Sequence, residues 1–165
     1  MTESKIIIRP AHPADHARVE QVRAAAFAPV FASFRHILGD DIYEIAQRNE
    51  DEAQGELLAG LFAEDSEWHL HVAELDGVIA GFVSWQENLE NSVGEIGLNA
   101  VDPTLQARGI GSRLYDFALE NMRAAGLQVA TVATGGDPAH APARRAYEKA
   151  GFDVSVPSVW MCRRL

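Results

Sequence analysis

The chain contains almost no cysteine: Cys162 is the only one in 165 residues. One thiol cannot close an intramolecular disulfide, so packing alone must hold the fold, which fits a reducing compartment. Cys162 has no adjacent base that would make it a nucleophile and reads as a structural residue on a terminal strand. Also missing is any apolar run near the roughly 20 residues of a membrane span. Met1–Lys5 leads straight into a short strand rather than into a signal-peptide core. The expectation is a cytoplasmic protein with no membrane partner. Basic residues are scarce as well, 14 Lys and Arg against 24 Asp and Glu, for a net charge of −10. Nonspecific nucleic-acid affinity comes from neutralising phosphates, so this balance argues against a nucleic-acid partner. Internal repeats, low-complexity tracts and linkers are absent, and 47% hydrophobic residues suffice for one core, giving a single domain over residues 1–165.

The charge that is present is unevenly placed. From Arg35 to Glu67 ten acidic residues face two arginines, a local balance of −8, whereas from Gln106 onward eight basic residues exceed five acidic ones. An acidic surface in one half and an anion site in the other would follow.

Ile6–Arg9 reads as a strand stopped by Pro10. A helix enters through Pro13, carries Val19, Val22 and Ala26 on one face, and weakens near Pro29. A second helical region spans roughly 41–62, with Gly55 as its expected break. Trp68–Leu75 and Val78–Trp85 flank Asp76-Gly77, a strong short-range hairpin signal. Glu95–Val101 reads as a strand, Ile110–Ala125 as a helix closed by Gly126, Leu127–Ala133 as a strand and Ala139–Ala150 as a helix capped by Gly151. Phe152–Val156 and Val159–Arg163 are the last strand candidates, around Pro157.

Between strand 95–101 and helix 110–125 lies Gln106-Ala107-Arg108-Gly109-Ile110-Gly111. A helix start offers unpaired N–H groups and the positive end of the macrodipole, and glycines let a phosphate approach the main chain. The same glycines also serve chains that merely need to turn.

With its flanks, this segment resembles the acetyl-coenzyme A motif of the Gcn5-related N-acetyltransferase (GNAT) superfamily: a strand, Val101-Asp102-Pro103, then Gln-x-x-Gly-x-Gly and a helix. His140-Ala141-Pro142-Ala143-Arg144-Arg145-Ala146-Tyr147-Glu148-Lys149-Ala150-Gly151-Phe152 resembles the family's other hallmark, with His140 where asparagine is usual. The resemblance extends more weakly to Ile6–Ala11 and to the 72–82 hairpin, while residues 30–66 match no family pattern. It implies an α/β fold with a mixed, mostly antiparallel sheet of roughly six or seven strands flanked by about four helices.

The resemblance also implies an activity, acetyl transfer from acetyl-coenzyme A to a primary amine by direct attack in a ternary complex, without a metal. It places the cofactor arm along Ala100 and Val101, the phosphates on Gln106, Ala107, Arg108, Gly109, Ile110, Gly111, Ser112 and Arg113, and a further contact at His140. An N–H near Val101 aimed at the thioester carbonyl follows oxyanion-hole logic. Arg108 and Arg113 can equally be surface charge, and His140 a loop residue without a role.

Strand alternation puts Glu95 on the face of Gly97 and Asn99, where it is either a general base or a solvent-facing carboxylate. Tyr147 shares a helix face with Ala143 and Ala150 and is either the general acid for the leaving thiolate or a structural tyrosine. His69 and His71 share a strand face but lack a third ligand.

The acidic 35–67 region suggests a cationic acceptor, small molecule or peptide, with Trp68, Trp85 and Phe34 as a candidate aromatic wall. A solvated acidic face is the alternative. A homodimer is a further partner expectation. Two rival functions remain: an acyl-coenzyme A-binding sensor without turnover, and a transferase of a longer acyl group.

Overall fold

Asp76 and Gly77 both take positive φ, 52° and 83°, and Leu75 pairs with Val78 across them, forming the two-residue hairpin that the Asp-Gly pair predicts. It joins two neighbouring strands in a computed structural model that describes residues 5–165; Met1–Ser4, read above as the lead into the first strand, lie outside the described residues. Five strands form one sheet in chain order. They are β1 (Ile6–Pro10), β2 (His69–Leu75), β3 (Val78–Asn88), β4 (Val93–Val101) and β5 (Val129–Val132). The first four run antiparallel, and β5 joins β4 in parallel.

Among the described residues six α-helices accompany the sheet: α1 (His16–Leu38), α2 (Asp40–Ala46), α3 (Arg48–Glu52), α4 (Gln54–Leu61), α5 (Ile110–Ala124) and α6 (Ala141–Lys149). Short 3-10 turns occupy Pro13–Asp15, Pro103–Leu105 and Pro138–His140. The sheet is buried on both faces. Val83, Trp85 and Ile96 meet Leu114, Met122 and Tyr147 from α5 and α6. Val72, Phe82 and Ala100 meet Val19, Val22 and Leu58 from α1 and α4 on the other side. Among the described residues, no helix is long and apolar enough to cross a membrane.

Several local expectations are corrected. Pro29 does not weaken α1, which runs through it to Leu38 and ends where Gly39 turns to φ 73°. The 41–62 region breaks at Gln47 and Ala53, not at Gly55. Gly55 sits inside α4, where a β-carbon would lie in ordinary contact, 3.6 Å from Glu20 Oε1 on α1. Finally, Phe152–Val156 and Val159–Arg163 form no strands. The sheet therefore stops at five, and Cys162 is exposed rather than on a strand. The tail lacks the neighbouring strand that an extended segment needs.

Candidate active site

The site begins where two strands part. β4 and β5 pair from Val93–Val129 to Ile96–Val132; β5 then ends while β4 continues to Val101. Beyond Ile96, β4 keeps its ladder with β3 on one side only, which leaves its other main-chain edge without a strand partner.

A bulge coincides with the parting. Val83 faces Asn99 and Trp85 faces Ile96, so β4 carries one residue more than β3 at Gly97-Leu98. Ser84, fully buried, donates to the Leu98 carbonyl at 2.8 Å and holds the bulge. A β-carbon on Gly97 would run into the Trp68 ring and approach Ser84 Oγ to 2.9 Å, so only glycine fits there without displacing its neighbours. The extra residue breaks the alternation expected from sequence. Glu95 keeps the face of Gly97, but Leu98 joins that face and Asn99 turns to the opposite one, toward α5 and α6.

Asn99 thereby becomes the centre of a polar knot beside that unpaired edge. Its Nδ2 donates to the Gly97 carbonyl at 2.8 Å and to the Tyr147 hydroxyl at 3.0 Å, while its Oδ1 accepts from the Tyr115 hydroxyl at 2.9 Å. Tyr147 and Tyr115 are both 7% exposed, and their rings lie 5.3 Å apart. Burial pushes both phenols above their ordinary pKa, so both stay protonated at neutral pH. Sequence reasoning missed Asn99 and Tyr115. A signal existed for the latter, since Tyr115 follows Leu114 on the buried stripe of α5 and its hydroxyl requires a partner.

Glu95 is exposed and accepts from Gln86 Nε2 at 2.8 Å across the β3–β4 ladder. It lies on the sheet face opposite Tyr147.

Downstream, Asp102 fixes the turn. Its buried carboxylate accepts from Thr104 N at 2.9 Å, Thr104 Oγ1 at 2.7 Å and Arg18 Nη2 at 2.6 Å; these bonds, Thr104 first, hold its pKa below the usual carboxylate range. Arg18 also donates to the Ile79 carbonyl, tying α1 to β3 and to the turn. Gln106, Ala107, Arg108 and Gly109 are exposed. Ala107 at φ 62° and Gly109 at φ 78° bend the chain into α5, with Ile110 buried as its anchor. The first helical bond is Arg113 N to the Gly109 carbonyl, so the preceding N–H groups have no helical partner. Arg108 and Arg113 are exposed and pair with no carboxylate among the described residues. Gly111 and Ser112 are half-buried, and Ala100 directs its side chain into the α1-side core, which leaves only its main chain at the unpaired edge.

His140 pairs through Nδ1 with Asp137, which also accepts from Ser33 Oγ at 2.8 Å. Nε2 is left as its free ring nitrogen. The Phe34 ring stands 5.7 Å away, so α1 packs directly on the loop after β5. Arg144, open between a partner subunit and solvent in the sequence, donates to the carbonyl of Asp137 at 2.9 Å.

On the Glu95 face lies a cavity of about 690 Å³ lined by Leu57, Leu61, Trp68 and Leu98, with Glu56 and Glu67. Of the expected aromatic wall only Trp68 takes part. Trp85 is 1% exposed in the core, where His69 and His71 stack on it at 4.9 and 4.8 Å. Burial, with the neighbouring His69, lowers the His71 pKa to about 4.

The model of the acetyltransferase (GNAT) family matches residues 32–152. A mycothiol acetyltransferase of Thermomonospora curvata is 35% identical over 83 residues, half of this chain but only 27% of that protein. A GNAT-family acetyltransferase from Brucella melitensis, solved with acetyl-CoA, superposes with a TM-score of 0.62 at 26% identity, over 92% of this chain and 85% of its own. A GNAT-family protein from Desulfovibrio desulfuricans superposes with a TM-score of 0.70 at 22% identity, over 92% and 87%.

Proposed function

The chain belongs to the acetyltransferase (GNAT) family, and from that premise we propose that it moves an acetyl group from acetyl-coenzyme A to a primary amine by direct attack in a ternary complex. The observation that carries the reading is the parting of β4 from β5 after Ile96, which leaves an open strand edge leading into the exposed turn at Gln106–Gly109. The residues present fit the cofactor. The Ala100–Val101 main chain would hold the pantetheine arm like an added strand. The N–H groups from Gln106 to Ser112, with Arg108 and Arg113, would hold the pyrophosphate, and His140 Nε2 would meet the arm. When bound, acetyl-coenzyme A supplies the acyl carbon and a thiolate leaving group.

The chain's own residues then manage two protons. A lysine-like ammonium loses its proton at pH 7 at a cost of about 4.6 kcal/mol, from a pKa of about 10.4. Glu95 accepts that proton, directly or through water. Tyr147 donates its proton to the departing sulfur, and its hydrogen bonds have the right polarity. Asn99 Nδ2 donates a hydrogen bond to the Tyr147 oxygen at 3.0 Å, and Asn99 Oδ1 accepts from Tyr115 at 2.9 Å but from Tyr147 only at 3.5 Å, so the Tyr147 proton is held weakly within the knot.

The acceptor we assign to the cavity on the Glu95 face of the sheet. Its apolar side chains and the carboxylates of Glu56 and Glu67 suit an amine with an apolar body and a positive charge. Thiol release measured against a panel of apolar and polar amines tests the reading. Turnover on apolar cations supports it; acetyl-coenzyme A binding without turnover on any amine favours the sensor, and faster reaction with a longer acyl donor favours the wider transferase.

A further inference from the structure

We infer, on the premise that the cavity on the Glu95 face takes the acceptor, that Gly60 is a specificity-determining residue: its bare main chain seats a ring, and the preferred acceptor is a primary amine carrying an aromatic or alicyclic group. A glycine inside a helix lowers stability, because it gives up more conformational freedom than any other residue and packs no side chain in return. Among the described residues three glycines lie inside α-helices. A β-carbon on Gly55 or Gly111 would touch neighbours at 3.6 and 3.7 Å, whereas one on Gly60 would meet no atom within 4 Å. Nor does Gly60 end its helix. Its φ lies outside the left-handed range, and α4 closes beyond it at Phe62, φ −89° and ψ −3°, in right-handed geometry. Neither backbone conformation nor packing within the chain calls for a glycine at this position.

What Gly60 does line is the cavity of about 690 Å³. It stands one turn after Glu56 and Leu57 on the same face of α4, and Leu57 is 58% exposed there. The sheet contributes Leu98, which the bulge turns to this face, and Trp68 joins from the residue ahead of β2. A volume of that order houses a ring-bearing molecule, and the missing side chain lets such a body rest against the main chain of α4. A straight chain would forfeit part of those contacts. Glu56 and Glu67 supply the carboxylates that draw in the ammonium.

The test compares the full-length parent with Gly60→Ala and Gly60→Leu, using 2-phenylethylamine, cyclohexylmethylamine and butylamine. Folding is read first: Gly60→Ala should raise Tm by about 2–4 °C, the gain of a better helix former where nothing obstructs it. Calorimetric titration of each amine in the presence of coenzyme A reads the cavity without turnover. The parent should bind both ring amines at least about tenfold more tightly than butylamine, a preference that shrinks in Gly60→Ala and disappears in Gly60→Leu. Thiol release from acetyl-coenzyme A should lose the same preference in kcat/KM, through KM rather than kcat. Ring preference in binding that Gly60→Leu abolishes, with no thiol release on any amine, would sink the acetyl-transfer reading and leave this assignment standing. Turnover without ring preference in the parent, a preference that survives Gly60→Leu, or no binding of either ring amine would overturn the assignment. So would a lower Tm in Gly60→Ala, because the fold itself would then require the glycine.

Discussion

Tyr115 touches no substrate in this account, yet its removal should slow acetyl transfer by a calculable amount. Its hydroxyl occupies Asn99 Oδ1 at 2.9 Å, while Tyr147 Oη lies 3.5 Å from the same oxygen. In Tyr115→Phe that acceptor becomes vacant, and the Tyr147 proton can turn toward it instead of toward the leaving sulfur. A neutral hydrogen bond of about 0.5–1.5 kcal/mol must then be broken in each turnover, which lowers kcat about 2- to 13-fold. Tyr147→Phe removes the acid outright and should cost about 10²–10⁴ in kcat. Both variants should leave acetyl-coenzyme A affinity within a few-fold. Single-turnover thiol release isolates the chemical step, and a thermal melt separates loss of folding from loss of rate. If Tyr115→Phe matches the parent in single-turnover rate while Tyr147→Phe is slow, the orientation argument is wrong. If both match the parent, Tyr147 is not the acid.

Glu95→Gln should lower kcat/KM most on the acidic side, where free amine is scarce; a pH profile parallel to that of the parent would remove Glu95 as the base. Asp102 and Asp15, with folded pKa values held down by their bonds to Thr104 and to Arg9, contribute stability that is present above their unfolded pKa, about 3.9, and lost as pH falls through the folded value. Thermal melts should therefore fall below about pH 4, and Asp102→Asn should flatten part of that fall; an unchanged slope would contradict it. Gly97→Ala should cost about 1–3 kcal/mol because the new methyl group meets the Trp68 ring, lowering Tm by several degrees and raising the acceptor KM. A melt and a KM equal to those of the parent would show that the ring is free to move.

Features fixed by neighbours in sequence were legible. The Asp76-Gly77 hairpin, the Gln106–Gly111 turn and the α6 segment ending at Gly151 all stand where their own residues put them. The misses share a cause, which is contact between distant segments. The bulge at Gly97-Leu98 is held by Ser84 from another strand, and it alone decides that Asn99 faces Tyr147 rather than Glu95. Propensity marked Gly55 and Pro29 as breaks, but α4, which packs Leu58 against α1, and the long α1 run through them. The tail has the pattern of a strand without a partner inside its own chain, which pattern alone cannot reveal.

The claim on which the rest depends is that the turn after β4 holds the cofactor's phosphates. Calorimetric titration of the parent and of Gly109→Val with acetyl-coenzyme A tests it, because a side chain at φ 78° strains the turn that presents the N–H groups. The account predicts stoichiometric binding to the parent and affinity at least about tenfold weaker in the folded variant, the equivalent of one lost charge-assisted hydrogen bond. No binding to the parent, or equal affinity in both proteins, would contradict it.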